Sequence, residues 1–201
     1  MDRKDFIKSG LITTIGLIAC SSPKNGIKPI QTKTNKLEEL YIPALHPTLE
    51  EGNIQKVKYC QTGHQFACSE YIYGPKKMGP APHVHDTLDE LMYVIEGAAT
   101  IMVGNNITRV EAGAWHMRPH GIVHTFWNAE DVPVKFLDIY TNQNFDDFQI
   151  EYKAVKKYLK DNQIAKDSKA SYAKLDELFS KWGITMYHEQ RKPIMEKYGL
   201  T

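Results

Sequence analysis

Between residues 66 and 141 the chain is a succession of short runs in which apolar and polar residues alternate: "FACSEYIY", "ELMYVIEG", "AATIMVG", "ITRVEAG" and "VKFLDIY". Alternation with a period of two sends neighbouring side chains to opposite faces of a strand. Gly, Pro and Asn punctuate the runs, and the glycines at 97, 104, 113 and 121 fall between runs rather than inside them. That pattern belongs to an all-β fold of short antiparallel strands. "VGNNITRV" reads as a hairpin, with Asn tolerating the positive φ of a tight turn.

Within this strand-patterned stretch stand His83, His85, Glu90 and His124. On a strand, side chains at i and i+2 point the same way, so His83 and His85 face one side together. Glu90 returns on the next strand after a tight "DTL" turn, and His124 follows the Pro-Gly corner of "PHGIVHTFWN". Imidazoles with one carboxylate suit a divalent transition metal (Fe, Mn, Ni, Co, Cu or Zn), whereas Mg and Ca sites are built from oxygen. No Ser-His-Asp or Cys-His nucleophile pattern and no phosphate-cradling glycine loop is present.

These residues resemble the cupin superfamily. Its first motif, G-x5-H-x-H-x3or4-E-x6-G, is similar to His83, His85, Glu90 and Gly97; its second, G-x5-P-x-G-x2-H-x3-N, is met at Gly113, Pro119, Gly121, His124 and Asn128. The one departure is the leading glycine of the first motif, where Lys77 stands, with Gly79 two residues later. The resemblance implies an antiparallel jelly-roll β-barrel over residues 53–142, with His83, His85, Glu90 and His124 holding one metal in its mouth.

If Glu90 points inward, strand parity carries Met92 and Val94 with it, and His124 carries Phe126. Met92, Phe126 and Arg118 are therefore candidate substrate-pocket residues. Met92 and Phe126 read equally as barrel core, and Arg118 either orients a substrate carboxylate or enolate, or pairs with Asp138. His116 and His120 read as surface imidazoles that lie close enough to move protons. No catalytic base is assigned.

The front of the chain has a different character. Arg3, Lys4 and Lys8 precede an apolar stretch from Leu11 to Ala19, too short to span a bilayer, in the layout of a signal peptide. It ends in Leu17-Ile18-Ala19-Cys20, which resembles a bacterial lipobox with Cys20 as the lipidated residue, and "DRKDFIK" is similar to a twin-arginine signal with Lys4 in place of the second arginine. The expectation is a signal peptide over 1–19, a tether and N-terminal arm over 20–52, and an exported lipoprotein on the periplasmic side of the cell envelope. Removing residues 1–19 takes the net charge from +1 to 0, which supplies no basic face for nucleic acid. Membrane contact would come only through the lipid anchor. Cys60 and Cys68 flank "QTGHQFA"; a hairpin centred on Thr-Gly-His would set them across from one another, as a disulfide or as two buried thiols.

Residues 143–201 read as a helical extension. "NFDDFQIEYKAVKKYLKDN" and "DSKASYAKLDELFSKW" carry apolar residues at helical spacing, Gly183 stands where a C-terminal cap is wanted, and "KPIMEKYGL" gives a third, short helix. Such helices pack on the barrel, close an edge of the sheet, join two subunits as a homodimer, or form a lid over the metal mouth. The resemblance to quercetinase-type single-domain cupins implies a dioxygenase acting on a small molecule and O2. A metal-dependent lyase or sugar isomerase on the same ligands, or a barrel that binds a small ligand without turnover, stays open beside it.

Overall fold

The computed structural model describes residues 37–166 and 168–201; the expected signal peptide, Cys20 and the first part of the tether lie outside them. Ten strands come first: β1 (Asn53–Val57), β2 (Phe66–Tyr73), β3 (Lys77–Met78), β4 (His83–His85), β5 (Asp89–Glu96), β6 (Ala98–Val103), β7 (Asn106–Glu111), β8 (Trp115–Arg118), β9 (His124–Asn128) and β10 (Val134–Thr141). Then come α1 (Phe145–Asp161), α2 (Lys169–Lys181), β11 (Ile184–Met186) and α3 (Arg191–Tyr198). One antiparallel sheet runs β1-β2-β10-β5-β8 and the other β11-β4-β9-β6-β7, with β3 paired to β9. This is a cupin-type jelly-roll with C-terminal helices.

The alternation read from sequence is the alternation of burial. Along β10, Val134, Phe136, Asp138 and Tyr140 are buried and the residues between them half-buried. Met92, Val94, Ile101, Phe126 and Phe136 pack between the sheets. Each large apolar side chain placed there contributes about 2–3 kcal/mol of transfer free energy. Trp127, of opposite parity to Phe126, is also fully buried, because Met78, Leu200 and Tyr198 cover that face. The β6–β7 hairpin turns at Gly104-Asn105, and it is Gly104 (φ 56) rather than an asparagine that takes the positive φ.

Two local features differ from the sequence expectation. Tyr59–Thr62 coils into a 3-10 turn ended by Gly63, so Cys60 is not on a strand facing Cys68. Cys68 is a free, buried cysteine whose registered neighbours are Val57 and Ile139; a Cys60–Cys68 disulfide is not formed. Burial pushes its thiol up to about 11. The helical extension also contains a strand. β11 pairs residue for residue with β4, Ile184 opposite His85 and Met186 opposite His83, a run too short to announce itself by periodicity.

The helices have local reasons to start and stop. Asn144 accepts from the Asp147 amide and Ser168 from the Ser171 amide, satisfying free N–H groups of α1 and α2. Gly183 (φ 65) follows α2 as expected. Phe145, Phe148, Leu178 and Phe179 join Ala67, Leu88 and Tyr140 in a second apolar cluster, so α1 and α2 are docked against the barrel end rather than projecting from it. The Tyr59 amide donates to Asp146 at 2.6 Å, and Asp86 N donates to Gly183 O at 2.8 Å, stitching both helices to the strand region. Among the described residues no helix is long and apolar enough to cross a membrane.

Candidate metal centre and cavity

Three strands deliver the four donors. His83 and His85 are the outer residues of the three-residue β4 and share a face. His83 is registered opposite His124 on β9. Glu90 on β5 is registered between Tyr140 of β10 and Arg118 of β8. The loop before β4 is drawn tight because Gly79 N donates to Phe126 O at 3.0 Å. A Cβ on Gly79 would stand 2.3 Å from that oxygen, so the glycine two places beyond the expected motif position is required by close backbone approach.

The ligand atoms of His83, His85, Glu90 and His124 all lie within 4.8 Å of one another, and all four residues are buried. Ring centroids are 4.5 Å apart for His83–His124, 5.0 Å for His83–His85 and 5.4 Å for His85–His124. His83 Nδ1 donates to Ala81 O at 2.9 Å and His124 Nδ1 to Ile122 O at 3.0 Å. In the neutral tautomers those bonds require, Nε2 of each ring carries a lone pair. His124 Nε2 then faces Glu90 Oε2 at 3.0 Å, both buried and neither in a hydrogen bond. Both nitrogens of His85 are likewise buried without a partner.

Lone pairs aimed at one another in a dry site are costly unless a cation lies between them. Two donors each about 2.1 Å from one ion stand at most about 4.2 Å apart, so a cluster spread of up to 4.8 Å closes on a metal with a shift of about half an ångström. The donor set fits a divalent transition metal. Burial lowers the His83 imidazolium to about 3 and that of His85 to about 4, which keeps both rings neutral at physiological pH.

Arg118 is the organiser beneath this set. It is 1% exposed, with its Nε 3.2 Å from Glu90 Oε2 and its Nη2 donating to Asp138, and its guanidinium lies 5.4 Å from the Phe126 ring centre. The Nε contact is an ion pair without hydrogen-bond alignment. Burial raises the Glu90 carboxyl, but the Arg118 guanidinium outweighs it and holds Glu90 well below the usual carboxylate range. Asp138 is held above that range by burial, against the pull of Arg118.

Of the three candidate pocket residues, only Phe126 lines the cavity. A space of about 650 Å³ is bordered by His83, His85 and Glu90 and by Phe126. Met92 does not border it, being fully buried among Val94, Ile101 and Phe136 in the core. Arg118 sits behind Glu90 and is occupied by two carboxylates. His120 is exposed and held by Asp89 at 2.7 Å, and neither it nor His116 reaches the cavity. Asn128 closes the second motif structurally, its amide donating to Gly74 O and Val132 O, each at 2.8 Å.

The sequence did not flag Tyr71 or Tyr140. Tyr71 and Tyr140 border the cavity with their hydroxyls 2.7 Å apart, and Tyr140 sits 3.5 Å from Asp138. Tyr140 shares the inward parity of Asp138 and Phe136, a signal that was present in "VKFLDIY". Phe145, Phe148 and Tyr152 of α1, with Leu175 and Phe179 of α2, complete an aromatic side.

Residues 69–140 match the family model described as "Cupin domain". No curated protein matches the chain. Similar solved structures include KdgF from Halomonas sp. (16% identity, TM-score 0.46, 54% of this chain and 98% of that one). A sugar phosphate isomerase from a cupin superfamily, from Silicibacter pomeroyi, is 24% identical (TM-score 0.40, 51% of this chain and 69% of that one). An oxalate oxidase is 16% identical (TM-score 0.45, 65% of this chain and 72% of that one). The matched residues 69–140 carry both motifs, on β4, β5 and β9, and this part of the barrel is similar to a cupin domain.

Proposed function

We propose that this chain is a metal-dependent cupin enzyme of dioxygenase type, acting on a small organic molecule together with O2. The observation that carries the reading is the set of four buried donors, of which His83, His85 and Glu90 border a cavity large enough for a small organic molecule. A divalent transition metal held there supplies Lewis-acid polarisation of a coordinated oxygen and a place where substrate and O2 meet. The chain's own residues do the rest. His83, His85, Glu90 and His124 orient the site, and Arg118 fixes Glu90 so that its carboxylate keeps one direction. Phe126, Phe145 and Phe148 exclude water from the floor and offer flat apolar surface to a planar or ring-shaped molecule.

A second reading rests on Tyr71 and Tyr140. Burial holds both phenols far above their ordinary range, so they stay protonated; one hydroxyl donates within the pair and the other is left to donate to a substrate oxygen. Donors of that kind beside a metal suit lyase or isomerase chemistry, in which O2 has no part. The separating experiment uses metal-loaded protein with candidate diols, flavonols and uronates, with and without O2. Oxygen-dependent loss of substrate supports dioxygenation, and loss under both conditions supports the second reading. Tight binding without turnover in either condition would make the barrel a ligand-binding protein. The lipobox-like ending at Cys20 supports export and lipid anchoring, which incorporation of labelled palmitate into the wild type but not into Cys20→Ala would test.

A further inference from the structure

The cavity that reaches the four donors also carries positive charge. Lys77, Lys156, Lys166 and Arg191 all border it. Among the described residues that line it, the only side-chain carboxylates are Glu90 and Asp138, and both are taken up by Arg118. Thr201 borders the cavity too, its N–H donating to Lys76 O and its O accepting from Met78 N.

Although the three lysines are exposed, Lys77, Lys156 and Arg191 each have a contact at the wall. The Lys77 ammonium lies 5.1 Å over the Tyr73 ring and the Lys156 ammonium 5.4 Å over the Tyr152 ring, and both rings line the same cavity. Arg191 donates one Nη1 bond to Gly79 O, which fixes its guanidinium beside the entry loop with its other donors available. Partial burial lowers the Lys156 ammonium, and the Lys166 and Lys77 charges push it the same way, so the three ammoniums are close enough to repel. Like charges gathered on one wall, with no carboxylate partner among the described residues, are relieved by an anion.

We infer that the cavity takes an anionic small molecule, its carboxylate or phosphate end seated among Lys77, Lys156, Lys166 and Arg191 while its other end reaches the donors at the floor. This rests on the proposal that the cavity is the substrate site, and narrows the substrate to a molecule with one charged end. Arg191 supplies a planar fork for the anion, and the lysines act as point charges.

The test is calorimetric titration of the EDTA-dialysed protein, so that binding is read apart from the metal and from turnover. Galacturonate and glucose 6-phosphate separate the carboxylate from the phosphate source, and galactose is the uncharged control. The expected result is that at least one anion binds at least about tenfold more tightly than galactose, and that it weakens as salt rises from about 0.05 M to about 0.5 M. The Lys77→Ala/Lys156→Ala/Lys166→Ala variant loses about tenfold in anion affinity, as expected when several exposed charge contacts are removed together. Its metal content and thermal midpoint stay at the wild-type values. Anion binding unchanged in that variant, galactose bound as tightly as either anion, or no anion bound at all overturns the inference. If the anion binds as described but no substrate is turned over, the charged-end assignment stands and the enzyme reading fails.

Discussion

The floor and the wall of the cavity are built by different means. The floor donors come from β4, β5 and β9, on residues no more than 7% exposed, with backbone registers such as His83 opposite His124 setting their spacing. The aromatic side of the wall comes largely from α1 and α2, helices that bury only Phe145, Phe148 and Leu159, and Ser171, Leu178 and Phe179. A donor on a paired strand cannot shift without breaking ladder bonds on both sides. A helix docked through a few aromatic rings opens at lower cost, as elements with few buried contacts do. The fold thus places its metal chemistry on the stiff part and one side of its cavity on the part able to yield.

The largest effect expected from breaking this division is at Arg118. Arg118→Ala leaves Glu90 and Asp138 as neighbouring buried carboxylates without their shared cation, at a cost of about 3–5 kcal/mol in urea unfolding. A cost under about 1 kcal/mol would mean the floor does not depend on that pairing. Phe148→Ala should cost about 3 kcal/mol, since the ring packs on Phe145, Tyr152 and Phe179. Its metal content should nevertheless match wild type. If metal is lost with the ring, floor and wall are one unit and the division is wrong.

Cys68 gives a smaller effect with a definite sign. Its thiol is raised to about 11 in the folded chain from an ordinary 9.0, so the folded state keeps its proton where the unfolded state has lost it. The contribution is intact below pH 9 and falls away as pH rises towards 11, by about 2–3 kcal/mol in total. The difference in stability between wild type and Cys68→Ala, followed across that window, should show this decline; a flat difference would mean the thiol is not buried in solution. The smallest effect is at the wall's outer surface. Lys181→Ala removes an exposed ion pair to Glu151 at 2.7 Å and should cost less than about 1 kcal/mol by thermal unfolding.

The same division explains what could be read from the sequence. His83 and His85 were legible because period two forces them to one face, and Glu90 and His124 because their motifs fix the intervening turns. Arg118 was legible as a partner for Asp138, though not as the link that also reaches Glu90. Phe145 and Phe148 were legible as the apolar side of a helix, but amphipathicity says which side is buried and not against what. β11 was invisible because Ile184–Met186 acquires its strand character from β4, whose registered residues lie 99 to 103 positions earlier in the chain. Met92 shared the parity of Glu90 and still missed the cavity, because parity selects the inward face and not the depth along the barrel.

The central claim is that His83, His85, Glu90 and His124 hold one metal ion. Purified protein loaded with a divalent transition metal, passed through a desalting column and assayed by elemental analysis, tests it directly. The account predicts about one equivalent per chain for wild type and, after loss of one of four ligands, no more than about a tenth of that in Glu90→Ala. Full occupancy in Glu90→Ala, with circular dichroism unchanged, would contradict it.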